Sequence, residues 1–279
     1  MDLSALMHWA TRGFEIGISK FQILFVWLIV VALIFIPLER LWYLRRQPLL
    51  REGLRDDLAL YFLGGLIPPL FGLFVTAACI AASLWLLPAG YFAWLTRWPL
   101  YISVPFAILV GEICYYWAHR LSHEIPWLWR FHSLHHSPTE MDWLVNTRAH
   151  PLDLVFSHVI SGAPLLLLGI KQPDSAGAAK WLVAVVIFNV FWAFFVHCNC
   201  RIRLGWFEHV LTTPAFHHWH HANDSPEVIN KNYSAVLPWI DRLFGTHHLP
   251  DRHPAVYGTP DQLPQGIFAL LAYPFRRRT

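Results

Sequence analysis

Between Leu58 and Leu87 the chain runs for 30 residues without a formal charge. That feature restricts the fold more than any other. A bilayer core about 30 Å thick takes roughly 20 apolar residues as a helix. Pro68-Pro69 falls inside the run and must kink or break a helix, because proline lacks a backbone donor and clashes with the preceding turn. The run predicts one long bent span, or one span plus a re-entrant piece.

Four other runs carry the same signal. Phe21–Ile36 has only Gln22 as a polar residue, and Trp42 and Tyr43 beyond it suit a membrane-interface belt. Trp98–Ala118 has Glu112 as its sole charge. Leu154–Ile170 and Trp181–Val196 flank the polar turn Lys171–Lys180, which holds Pro173 and Gly177, and read as a helical hairpin. The first 20 residues, with Asp2, Arg12, Glu15 and Lys20, lack the basic start and cleavage site of a signal peptide and are expected to lie as an interfacial helix.

Composition agrees. Hydrophobic residues make up 56% and charged residues 14%, against about 25% charged in an ordinary soluble domain. A disordered chain is excluded, and a soluble globular fold is disfavoured. A net charge of +3 gives no footing for nucleic acid, and four Cys make no disulfide scaffold. The expected fold is all-α, a polytopic transmembrane bundle of about four to five spans. Residues 1–97 form an N-terminal membrane region with spans near 21–44 and 58–87. Residues 98–250 form a histidine-rich region with spans near 98–118, 151–170 and 181–198, and 251–279 a tail.

Basic residues set the expected orientation. Arg40, Arg45, Arg46, Arg51 and Arg55 follow the first span, whereas Pro88–Arg97 carries only Arg97. The first connection is then cytoplasmic by the positive-inside rule. Counting Leu58–Leu87 as one crossing, His119, His150, His197 and the tail Arg276-Arg277-Arg278 all emerge on that same face. The more polar Arg201–Thr279 becomes a cytosolic His-rich cap, its sequons at Asn223 and Asn232 unused and Cys198 and Cys200 free thiols.

Histidine is concentrated on that side. Of 17 His, 13 lie between His119 and His221. They form His119-Arg120-Leu121-Ser122-His123, His132-Ser133-Leu134-His135-His136 and His217-His218-Trp219-His220-His221, with His197 alone at the end of the hairpin. Residues three or four apart share a helix face, so each cluster can aim two or three imidazoles at one point. His119, His123, His132, His135, His136, His197, His217, His220 and His221 are the candidate metal ligands. These nine are too many for one ion of about four to six ligands and suit two. Imidazole suits Zn, Cu, Fe and Ni alike. The chain has no Glu-x-x-His pair, no His-Glu-x-x-His helix and no Gly-x-Ser-x-Gly elbow. His150, His218, Glu112, Asp142, Asn199 and Asp241 are candidate ligands or partners to ligands.

These boxes resemble those of the fatty acid hydroxylase / sterol desaturase superfamily of integral-membrane di-iron oxygenases: His-x3-4-His, then His-x2-3-His-His twice. Flanking words match as well: Trp129-Arg130-Phe131 before the second box, Asn232-Tyr233 and Asp241-Arg242-Leu243-Phe244-Gly245-Thr246 after the third. Two positions depart from the pattern. Arg201 stands where some members have a further His, and Ser234 replaces the Gly of Asn-Tyr-Gly. The resemblance implies two Fe ions (with Zn able to replace them on purification), O2 as cosubstrate, and hydroxylation or desaturation of a C–H bond in a lipid drawn from the bilayer. Sterol, fatty acyl chain, sphingolipid, ether lipid and carotenoid all fit. The membrane would be a bacterial inner membrane or the endoplasmic reticulum. With no Gly-x-Gly-x-x-Gly fingerprint or fused redox region in the chain, a separate electron donor is implied, a reductase with a cytochrome or ferredoxin. Arg201, Arg203 and Arg276–Arg278 could dock an acidic one. The rival readings of the same histidines are a membrane zinc-dependent hydrolase and a metal transporter, although a transporter expects its ligands inside the spans.

Overall fold

The computed structural model describes residues 3–95, 97–169 and 176–276. The first part of the expected polar turn, Lys171–Ser175, and the basic pair Arg277-Arg278 lie outside the described residues. The described chain is helical throughout: α1 (Leu3–Leu41), α2 (Leu54–Leu66), α3 (Pro68–Leu86), α4 (Ala89–Leu95), α5 (Leu100–Glu124), α6 (Pro126–His136), α7 (Pro151–Leu167), α8 (Ala176–His197), α9 (Pro214–His220), α10 (Trp239–Leu243) and α11 (Ile267–Ala272). β-Pairing among these residues is limited to two isolated bridges, Tyr43 with Cys200 and Ala222 with Tyr257.

Three apolar stretches are long enough to cross a bilayer: Ile18–Leu41, Leu54–Leu86 and Leu100–Glu124. Two shorter apolar helices, Pro151–Leu167 and Ala184–His197, stand where the other spans are expected. The lipid face is visible in the side chains. Leu33, Phe74, Trp85 and Tyr101 are all 70% exposed or more, a display that water would not tolerate over so wide a surface. The protein is an integral membrane protein.

Several boundaries differ from expectation. The segment read as a separate interfacial helix is continuous with the first span, because α1 runs unbroken from Leu3 to Leu41. Neither Gly13 nor Gly17 ends it; glycine lowers helix propensity without removing a hydrogen bond. The uncharged run divides at Ile67 into α2 and α3. Ile67 keeps helical angles (φ −80°, ψ −55°), and Pro68 and Pro69 sit in the first turn of α3, where a missing donor costs no bond. The hairpin turn is shorter than Lys171–Lys180, since α8 begins at Ala176. The third span extends past Ala118, so α5 carries its histidines within the helix.

Helices α3 and α5 both pack on α7, α6 folds back on α5, and α1 lies against α2 and α8. The α1–α2 contact is close at Gly65, where a Cβ would come within 2.6 Å of Leu24. Beyond the spans the chain is tightly buried. Leu270 of α11 packs with Leu60 and Leu134, which brings the tail under α2 and α6.

A buried charge network ties the connection after α1 to the segment that leads into α7. Arg51 pairs with Asp57 at 2.7 Å and with Asp142 at 2.6 Å, and Arg148 pairs with Asp57 at 2.7 Å. Asp142 also caps the short turn Trp143–Thr147 by accepting the Leu144 and Val145 N–H groups. Glu39 at the end of α1 accepts the N–H groups of Trp143 and Asn199 at 2.7 and 2.9 Å. Removing one partner of a buried pair leaves an uncompensated charge. Asp57→Ala is therefore expected to destabilise the protein by about 3–5 kcal/mol, measured by denaturant unfolding in detergent. A loss under about 1 kcal/mol would mean that water already screens the network.

Candidate metal centre

All nine candidate ligands converge, in two groups. His119, His123, His132, His136 and His220 form one, and His135, His197, His217 and His221 the other; within each, one ring nitrogen per residue lies within 4.8 Å of the rest. Every one of the nine is buried. Helix spacing explains part of this. His119 and His123 sit one turn apart on α5, and α6 supplies His132, His135 and His136. His197 is the last residue of α8. Thr213 starts α9 by accepting the Phe216 N–H, with Pro214 in its first turn, and α9 presents His217 and His220 while His221 closes it. The groups adjoin where His136 and His221 stack, 4.3 Å between ring centres.

The hydrogen bonds around the rings fix their protonation. The Nδ1 atoms of His119, His135, His197 and His220 face the backbone carbonyls of Tyr233, Arg148, Ala193 and Lys231 at 2.7, 3.3, 2.7 and 2.8 Å. The His132 Nδ1 faces the Asp153 carboxylate at 2.9 Å. These oxygens only accept, so each Nδ1 carries the proton. In a neutral ring the Nε2 then bears a lone pair, and the lone pairs point at one another. His119 and His132 bring theirs to 3.1 Å, and His197 and His135 to 3.3 Å. The Nε2 atoms of His123, His136 and His220 are buried with no partner.

Burial also keeps the rings of His135, His136, His217, His220 and His221 neutral. Desolvation, with neighbouring imidazoles second, holds His135, His136, His217 and His221 well below the ordinary histidine value. Burial pushes His220 down to about 3. Buried lone pairs that face one another without a hydrogen between them are costly. A cation in each group satisfies them all at once. Neutral imidazole nitrogens with their far side anchored to an oxygen are the donor set that metal sites use, so the residues fit two ions.

The six candidate supporting residues fall outside both groups. His150 caps α7 by accepting the Leu152 N–H. His218 lies between the Tyr257 hydroxyl and the Cys198 carbonyl, at 2.7 and 2.9 Å. Glu112 accepts the Val236 N–H and Asp142 belongs to the arginine network. Asn199 exchanges hydrogen bonds with the Arg45 backbone. Asp241 works at one remove. It accepts the N–H groups of Tyr233 and Ser234 at 2.7 and 2.9 Å, and so holds the turn whose Tyr233 carbonyl anchors His119. Asn232 in that turn has φ 60° and bridges the Phe216 and His248 carbonyls. The expected free thiols Cys198 and Cys200 are both unpaired and buried.

Asp153 escaped the sequence reading, although a carboxylate in the first turn of the helix after a His-rich stretch was its available signal. It is the one carboxylate among the described residues that touches a ring of either group. Asp153→Ala should lower metal affinity by about 10–100-fold with the fold intact, read by titrating metal into the stripped protein. Unchanged affinity would remove Asp153 from any role at the centre. A pH dependence follows as well. The folded pKa values of His135, His136, His217, His220 and His221 lie below the ordinary 6.5, with His220 at about 3. The unfolded chain therefore takes up protons first as pH falls. Stability and metal retention present above pH 6.5 should fall progressively toward pH 3. Thermal unfolding of the metal-free protein that is flat across that window would contradict the buried, neutral rings.

Comparison with known proteins places this arrangement. The sequence model described as "Fatty acid hydroxylase" matches residues 104–246, which hold every residue of the two groups. The chain is 37% identical over 187 residues to the ornithine lipid hydroxylase OlsE of Rhizobium tropici, covering 66% of this chain and 54% of that protein. It is 33% identical over 182 residues to an alkylglycerol monooxygenase of Danio rerio, covering 65% and 37%. It is 25% identical over 149 residues to methylsterol monooxygenase 2-2 of Arabidopsis thaliana, covering 52% of each. The chain thus spans about half or less of the length of these relatives. No solved structure matches it. With the family match extending over more than half the chain and enclosing both histidine groups, this protein belongs to the fatty acid hydroxylase family.

Proposed function

We propose that this protein is a membrane-bound lipid oxygenase, an oxidoreductase that hydroxylates a C–H bond of a bilayer lipid. The observation that carries the reading is the two buried, lone-pair-facing imidazole groups beside apolar spans. His119, His123, His132, His136 and His220 would hold one iron, and His135, His197, His217 and His221 the other. Two bound irons supply O2 activation, which no side chain of the chain can provide. Relatives above 30% identity are named for oxygen insertion into lipids, as hydroxylase and monooxygenase, which favours hydroxylation over desaturation.

The chain's own residues prepare the centre. The carbonyls of Tyr233, Arg148, Ala193 and Lys231 lock the rings of His119, His135, His197 and His220 with Nε2 inward. Asp153 does the same for His132 and brings one negative charge to an otherwise neutral donor set. Tyr233 packs on His119 and His123, and Trp129 on His123 and His136, and these rings shield the histidines from water. A lipid approaching from the bilayer meets α5 and α7, whose inner ends carry His119, His123 and Asp153. Electrons come from a separate donor. The centre faces the cytoplasm by the basic connection after α1, and the membrane is a bacterial inner membrane or the endoplasmic reticulum.

Membranes containing the active protein, supplied with isotopically heavy O2 and a reductant, are expected to gain a lipid with one heavy oxygen. His135→Ala and His220→Ala, one from each group, should abolish that product and lower bound iron. Full activity in either variant would reject the ligand assignment. Product formed without O2 uptake by a zinc-loaded protein would instead favour a hydrolase, and metal flux into vesicles a transporter.

A further inference from the structure

A second site lies on the other side of the wall that carries His197. A cavity of about 590 Å3 opens between the end of α1, the connection to α2 and the first turns of α2. That volume is within the range of about 300–1,000 Å3 of small-molecule sites. None of the nine histidines lines it; its floor is Asp142–Leu144 and Asn199. It is therefore separate from the candidate metal centre, and the inference stands whatever that centre does.

The cavity is amphipathic along its depth. Leu28, Ala32 and Ile36 form a stripe of four-residue spacing on α1, faced by Leu54 and Leu58 on α2. At the other end stand Arg40, Arg45 and Arg46. The buried Arg51 and the half-buried Arg148 are neutralised by Asp57 and Asp142, whereas Arg40 and Arg46 are exposed and Arg45 is half-buried. Among the described residues Arg40, Arg45 and Arg46 have no carboxylate within ion-pair distance. Arg40 donates to the Gln47 carbonyl at 3.1 Å, Arg46 to the Tyr43 hydroxyl at 3.3 Å, and Arg45 lies over the Tyr257 ring. Two carboxylates also line the cavity, but both are engaged in its wall. Asp142 is held by Arg51, and Glu39 accepts from Trp143 and Asn199.

The cavity's place in the bilayer identifies its occupant. Arg40 stands at the end of the span Ile18–Leu41, at headgroup depth. Beside it, Leu49 and Leu50 are 53% and 78% exposed between Arg46 and Arg51. Exposed leucines flanked by arginines are placed stably at the boundary of acyl chains and headgroups. We infer that this cavity is a binding site for a resident anionic phospholipid, its phosphate on Arg40 and Arg46 and one acyl chain along Leu28, Ala32, Ile36, Leu54 and Leu58. Guanidinium recognises phosphate through charge-assisted, paired hydrogen bonds, and the α1 and α2 stripes exclude water from the chain.

Native mass spectrometry of the full chain in mild detergent tests the site, with palmitoyl-oleoyl phosphatidylglycerol or phosphatidylcholine added. The wild type should retain one phosphatidylglycerol in preference to phosphatidylcholine, and excess inorganic phosphate should leave it bound. Arg40→Gln with Arg46→Gln should weaken retention by on the order of tenfold. Ala32→Trp, which fills the apolar half, should abolish it with all three arginines in place. Circular dichroism establishes that each variant is folded, and the surface arginine variant decides alone if Ala32→Trp is not. Equal retention of the two lipids, displacement by inorganic phosphate, or unchanged retention in the arginine variant would overturn the site. Loss in the arginine variant with full retention in a folded Ala32→Trp would move the charge effect off the cavity and overturn it too.

Discussion

Nine buried imidazoles, each with a ring nitrogen turned toward the others of its group, impose the constraint on which the rest of this structure depends. Each ring is buried, and two pairs of Nε2 acceptors, His119 with His132 and His197 with His135, lie within 3.3 Å of one another. A chain folds this way only if something positive repays the arrangement. The surroundings follow from that need. The α9 turn, the Asn232-Tyr233-Ser234 turn and the Asp241 carboxylate that fixes it serve to aim carbonyl oxygens at Nδ1 atoms. Such anchoring sets both tautomer and ring direction before any ion arrives.

The membrane half does the gross positioning. Helix α5 delivers its histidines at its C-terminal end, α7 begins with Asp153 in its first turn, and α8 terminates on His197. One long and two shorter apolar helices thus serve as rigid supports for side chains that must meet within a few ångströms. Rigidity at the ends comes from the Arg51–Asp57–Arg148 and Arg51–Asp142 network, which joins the α1–α2 connection to the segment before α7. Buried ion pairs add little net stability, yet they penalise every wrong register of the segments they join.

Much of this was legible in the amino-acid sequence. Uncharged length gave the spans, three- and four-residue spacing gave eight of the converging histidines, and the end of the hairpin gave His197. How the boxes divide was not legible. His132 and His136 of one box join the first group while His135 joins the second, and His220 separates from His217 and His221 in the same way. Spacing tells which residues share a helix face; ring direction is set by the acceptor on the far nitrogen. Four of those acceptors are backbone carbonyls, which any residue type supplies. For the same reason the polar residues nearest the boxes do not mark the anchors. His150, His218, Glu112, Asp142 and Asn199 hold helix caps and loops in place. Asp153, which does touch a ligand candidate, looked like an ordinary first-turn acid. The α1 boundary was lost because charges at the start of a helix do not break its hydrogen bonds.

The central claim is that the chain holds two ions, each in its own cage of imidazole nitrogen. X-ray absorption at the iron edge, on protein reconstituted with ferrous iron without oxygen and quantified for metal, tests it most directly. Two irons per chain in a first shell of imidazole nitrogen and light atoms is the predicted result. A single iron per chain, or a sulfur neighbour from Cys198 or Cys200, would contradict it.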